Sequence, residues 1–148
     1  MSGDARAVCL LDVNVLIALI DPRHVQHDAA HDWFERRGSQ PWATCPLTEN
    51  GVLRIVGHPR YPNSPGTPAA VTKSLAGLCA LPGHVFWSDD LILLRCGRVD
   101  ASRLLTSAQI TDSYLLALAC ERGGTLATFD RRLVTSAVDG GADALELI

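Results

Sequence analysis

The segment Ala7-Val-Cys-Leu-Leu11 carries no polar side chain, and it stops at an acid, Asp12. A strand with one wet face alternates apolar and polar residues; this run does not, so both of its faces must be covered. Helices on either side of a parallel sheet provide that cover, because parallel strands are joined by helical crossovers. A second run, Thr125-Leu-Ala-Thr-Phe129, reads as another strand and also stops at an acid, Asp130.

The rest of the chain alternates in the same manner. Residues 13–20 predict a short helix that stops near Asp21-Pro22, and 24–37 a second one, with Ala29, Ala30, Trp33 and Phe34 near one face and Gly38 as its stop. Residues 41–45 predict a short strand and 49–56 a helix, despite Gly51. The stretch 57–68 holds four prolines and predicts a loop. A helix over 69–80, a strand over 84–87 and a mixture of short helix and loop over 89–105 follow. Thr111 is placed to cap a helix running from Asp112 to Arg122 and closed by Gly123-Gly124, and residues 144–148 predict a last edge strand. Strands alternating with helices over 148 residues predict one domain spanning 1–148. Its class is α/β, a three-layer sandwich around a mainly parallel central sheet.

Aromatic residues make up only 5% of the chain, so Leu, Val, Ile and Ala must fill most of the core. The net charge of −3 excludes a protein that coats nucleic acid through general electrostatics. It leaves room for a nuclease, which needs only a local basic rim. Lys73 is the single lysine; the other basic residues are Arg, the better fork for phosphate, although a GC-rich genome produces the same bias. Cys9, Cys45, Cys79, Cys96 and Cys120 are odd in number and lack CxxC spacing, which predicts small buried hydrophobes in a reducing compartment. The N-terminus has no basic segment, Asp4 and Asp12 interrupt any signal-like run, and the longest apolar stretch, 15–20, is too short to span a bilayer. A soluble cytoplasmic protein is expected.

In open α/β sheets, ligands bind beyond the carboxyl ends of the strands. Asp12 and Asp130 fall there, each directly after a strand. Glu49 and Asp112 fall in the first turns of helices, on the same rim. Each acid alone has a plain structural use: Asp12 as a helix cap, Asp112 as a partner for the helix dipole, Asp130 in a turn. Together they repel one another unless a cation joins them. Mg²⁺ or Mn²⁺ prefers such oxygen ligands, and so placed it polarises a phosphodiester and acidifies an attacking water.

The segments around these acids, LLDVNVLIAL, LTENGVLRI, ITDSYLLALA and LATFD, resemble in order the signature segments of the PIN domain, and more narrowly those of the VapC toxins of bacterial toxin–antitoxin pairs. The resemblance runs from about Val8 to the C-terminus. It implies a Mg²⁺- or Mn²⁺-dependent endoribonuclease in which Asp12 and Asp112 hold the ion, while Glu49 and Asp130 orient its waters or a second ion. Asn14, Thr48 and Thr128 match the family's supporting polar positions. It further implies RNA as substrate, a homodimer, and silencing by a VapB-like antitoxin that directs an Arg at the acids.

Other residues invite competing assignments. His24, His27 and His31 fall at helical spacing, where a solvated face is expected over a zinc site, which needs a fourth ligand. Arg54, Arg60, Arg131 and Arg132 are candidates for RNA phosphates, and Tyr61 for base stacking, against ordinary surface roles. Trp33, Trp42 and Trp87 are expected in the core or at a dimer interface. A haloacid-dehalogenase-type phosphatase would explain LLDVNV, yet it wants a second Asp where Asn14 stands and a Lys after a later strand. A PIN-like module that only binds RNA or a partner is the non-enzymatic alternative.

Overall fold

The computed structural model describes residues 7–148, so Asp4, part of the N-terminal expectation, lies outside the described residues. Five strands, β1 (Cys9–Leu11), β2 (Trp42–Thr44), β3 (His84–Phe86), β4 (Thr125–Thr128) and β5 (Leu145–Leu147), form one sheet in the order β3-β2-β1-β4-β5. Every neighbouring pair is parallel. On one face lie α1 (Val13–Ile20), α2 (His27–Arg37), α3 (Pro46–Val56) and α4 (Pro68–Cys79); on the other lie α5 (Gln109–Glu121) and α6 (Gly141–Ala144). The layers number three, as expected.

Strand β1 is central, and its side chains divide between two cores. Leu11 packs with Val15, Leu16 and Trp42 on one face, while Leu10 packs with Leu115, Leu116 and Leu126 on the other. Both leucines are fully buried. Each such burial is worth roughly 1.5–3 kcal/mol, which is why the segment tolerates no polar residue. Gly124 lets the chain enter β4 close against β1: a Cβ there would lie 2.2 Å from the Val8 carbonyl oxygen. Trp33, Trp42 and Trp87 are all core residues.

Several element boundaries differ from expectation, each for a local reason. Helix α3 begins at Pro46 rather than Glu49, because proline suits a first helical position and Cys45 and Thr48 close a capping box ahead of it. Thr48 Oγ1 accepts from the Cys45 amide and donates to the Cys45 carbonyl, both at 3.0 Å. Helix α2 begins at His27, not at residue 24, because His24 Nδ1 accepts from the Gln26 amide and holds a turn there. Helix α5 begins at Gln109, so Thr111 lies inside it and caps nothing. The Gln109 side chain instead accepts from the Leu105 and Thr106 amides and clamps the loop that precedes the helix. The 89–105 stretch holds one 3₁₀ turn, Ala101–Arg103, which Asp100 caps.

The proline-rich loop is fastened rather than free. Tyr61 Oη and Asn63 Nδ2 both donate to Asp21 Oδ2, at the C-terminal end of α1. Among the described residues no helix is long and apolar enough to cross a membrane.

Candidate metal centre

The register of β1 on β4 pairs Leu11 with Ala127, so the residues that follow, Asp12 and Thr128, meet at the carboxyl edge of the sheet. Asp12 caps α1 while facing β4. Its Oδ1 accepts from the Val13 amide at 2.7 Å, and its Oδ2 accepts from Thr128 Oγ1 at 2.8 Å. Thr128 Oγ1 in turn accepts from Asn14 Nδ2 and from the Asp130 amide, each at 3.0 Å. Asn14 Oδ1 accepts from the Phe129 amide at 3.1 Å. One buried hydroxyl thus sets the positions of Asp12, Asn14 and the Asp130 backbone.

Asp112, in the first turn of α5, is near enough to Asp12 and Asp130 to feel both charges. Its carboxyl is pushed up to about 6 by burial first, then by the charges of Asp12 and Asp130. Burial also raises Asp12, against the lowering effect of its bonds to Thr128 and Val13, and the Asp130 charge adds to the rise. No ion pair among the described residues includes any of the three acids. The donors they offer are all carboxylate oxygens, which fits a hard divalent ion such as Mg²⁺ or Mn²⁺ and not a thiophilic one.

That electrostatic cost has a pH signature. A carboxyl whose folded pKa exceeds its unfolded value destabilises the fold once it ionises. For Asp112 the cost is absent below about pH 4, develops up to about pH 6, and stays above it. The shift of about two units corresponds to roughly 3 kcal/mol, reduced to about 1–2 kcal/mol because the group is only half-buried and solvent screens it. Metal-free Asp112→Asn protein is therefore expected to resist urea better than wild type at pH 7 and equally at pH 4. A stability difference independent of pH would contradict the proposed repulsion.

Glu49 has different company. Its Oε2 accepts from Thr44 Oγ1 at 2.6 Å, and the same hydroxyl lies 2.8 Å from His84 Nε2. The hydroxyl has one proton and gives it to Glu49, so His84 Nε2–H donates to Thr44. The Cys79 thiol completes the group: one ligand atom each from Glu49, Cys79 and His84 fall within 4.8 Å of one another. Burial raises the Cys79 thiol, and the Glu49 charge raises it further. Burial lowers the His84 imidazole, against the pull of Glu49. Asp12, Asp112 and Asp130 thus feel one another's charges, and Glu49 is set against Thr44, Cys79 and His84, none of which was singled out as a site residue from the sequence. A polar residue ending a buried strand, and a histidine opening an apolar one, were the available signals.

Of the three histidines, His24 holds the turn before α2, and His27 and His31 are neither a zinc site nor a solvated face. His27 Nδ1 lies 2.7 Å from the Ala18 carbonyl oxygen and His31 Nε2 2.8 Å from that of Leu19. They satisfy carbonyls that the end of α1 leaves open. Tyr61, hydrogen-bonded to Asp21, is tied into the fold rather than presented for stacking. Arg54, Arg60, Arg131 and Arg132 are exposed, and none forms an ion pair among the described residues.

The chain matches the PIN domain over residues 9–138, a span that includes Asp12, Glu49, Asp112 and Asp130. Ribonuclease VapC39 of Mycobacterium tuberculosis is 43% identical over 136 residues, covering 92% of this chain and 98% of that protein. Ribonuclease VapC44 of the same organism is 43% identical over 131 residues, covering 88% and 92%. Ribonuclease VapC38 is 37% identical over 141 residues, covering 95% and 98%.

Proposed function

The chain belongs to the PIN domain family and is a VapC-type endoribonuclease; from that premise we propose which residues cleave RNA, with which ion and under whose control. Asp12 and Asp112 hold Mg²⁺ or Mn²⁺, with Asp130 beside them and Glu49 orienting solvent from the α3 side. The observation that carries this assignment is the meeting of Asp12 and Asp130 at the carboxyl edge of β1 and β4, where Thr128 Oγ1 donates to Asp12 and accepts from the Asp130 amide, with Asp112 close enough for both charges to raise its carboxyl. Acids kept so close without a cation of the protein's own are suited to receive one.

When bound, the ion supplies Lewis acidity at the scissile phosphate and a water acidified for attack. The protein's own part is to hold the donors still. Thr128 fixes Asp12 Oδ2, Asn14 fixes Thr128, and the Val13 amide fixes Asp12 Oδ1. Such support keeps the ligand geometry from relaxing as charge develops. Arg131 and Arg132, which follow Asp130 directly, meet the RNA backbone, where an Arg fork binds phosphate without reading sequence.

A VapB-like antitoxin silences the enzyme by directing an Arg at the acids, which a cluster of uncompensated carboxylates attracts. The enzyme works in the cytoplasm as a homodimer. Purified protein is expected to cleave RNA with Mg²⁺ or Mn²⁺ and to stop when EDTA removes the ion, and expression is expected to arrest growth until the antitoxin is supplied. RNA binding without cleavage under any divalent ion would assign the chain to non-catalytic binding modules instead.

A further inference from the structure

Glu49, Cys79 and His84 reach one place from three elements: the first turn of α3, the last residue of α4 and the first residue of β3. With one ligand atom each within 4.8 Å of one another, they match the donor types of a thiophilic ion. In a tetrahedral zinc site such atoms lie about 3.3–3.8 Å apart, given bonds of roughly 2.0–2.3 Å. Closing by about 1 Å is within the reach of side-chain adjustment. A cavity of about 230 Å³ between α3 and α4 reaches two of the three, Glu49 and Cys79, while His84 meets them from the β3 side. Thr44 already orients two of the three, touching both Glu49 and His84, as hydrogen-bonded supports do at metal sites.

We propose that Glu49, Cys79 and His84 form a second divalent-cation site, for Zn²⁺ or an ion of its class, which shares Glu49 with the proposed catalytic acids. The donor sets differ in kind, oxygens alone in one and a thiol, an imidazole and a carboxylate in the other, so the two sites discriminate between ions rather than compete for one. On binding, the Cys79 S–H bond breaks, the sulfur ligates the ion and the proton leaves to solvent. Three protein ligands leave a fourth position for water, and the ion ties α3, α4 and β3 together. It also holds the Glu49 carboxylate in this pocket, so a loaded site lowers RNA cleavage; that consequence rests on the role given to Glu49 above.

Co²⁺ serves as the probe, since a cobalt–thiolate bond gives a charge-transfer absorption that an all-oxygen site lacks. The full chain titrated with Co²⁺ is expected to show that absorption, and Zn²⁺ to abolish it. Asp12→Asn protein is expected to retain it, while Cys79→Ser loses it and His84→Gln binds at least about tenfold more weakly. No thiolate absorption in the wild type, or one that survives in folded Cys79→Ser, overturns the site. Zn²⁺ added before Mg²⁺ is expected to slow cleavage by the wild type but not by Cys79→Ser; equal slowing of both overturns the control of cleavage. The Co²⁺ titration decides the site even if the protein cleaves no RNA.

Discussion

Asp12→Asn protein is expected to fold normally and to lose RNA cleavage by about 10²–10³-fold, the usual cost of removing one preorganised electrostatic partner. The fold survives because the amide oxygen can still accept from the Val13 amide, and Asn caps a helix about as well as Asp. What disappears is the charge. The substituted side chain presents a neutral group on the Thr128 side, where Oδ2 now accepts from the hydroxyl. One of the two carboxylates proposed to hold the ion is then gone, and Asp112 loses the stronger of the two charges that raise it. Its carboxyl should relax downward, towards the ordinary range. Asp112→Asn is expected to fall as far in activity by the complementary route. Cleavage assays with Mg²⁺ and with Mn²⁺, beside far-UV circular dichroism, check both halves. Near-wild-type cleavage by both folded variants would remove these acids from the proposed centre.

How much of this was legible beforehand depends on which interactions are local. The all-apolar run at β1 required cover on both faces, and the sheet places it centrally, with Leu10 and Leu11 in opposite cores. An acid after each of two strands put Asp12 and Asp130 on one edge without any knowledge of strand order. Asp112 was expected in the first turn of a helix capped by Thr111, and that helix instead starts three residues before Asp112, at Gln109. It lies in the first turn all the same, where the charges of Asp12 and Asp130 act on it. Glu49 was expected beside the other acids, and the side chains it touches are others. Its partners, Thr44, Cys79 and His84, come from the end of one strand, the end of a helix and the start of another strand, and no spacing in sequence foretells a meeting of that kind. The histidines of α2 were misread for a related reason. Helical spacing shows which residues share a face but not what that face meets, and here it meets the carbonyl end of α1.

Thr128→Val should cut cleavage by about 10–100-fold, as loss of a supporting hydrogen bond to a metal-binding group usually does. The substitution keeps the shape of the side chain and deletes only the hydroxyl, which serves three partners at once. Asp12 Oδ2 loses its donor, and Asn14 Nδ2 and the Asp130 amide lose their acceptor. Thr128 is fully buried, so water cannot readily replace what is removed. Each buried polar group left unpaired costs about 1–3 kcal/mol, and some relief comes from the partly exposed Asn14 turning to solvent. A net loss of about 2 kcal/mol in stability is expected from that balance. The two effects separate on changing the residue again. Thr128→Ser restores the hydroxyl while leaving a small cavity, so it should recover most of the activity without recovering all of the stability. Were the hydroxyl only a packing element, serine would be no better than valine in cleavage, and the chain of bonds from Asn14 through Thr128 to Asp12 would have no part in holding the ion.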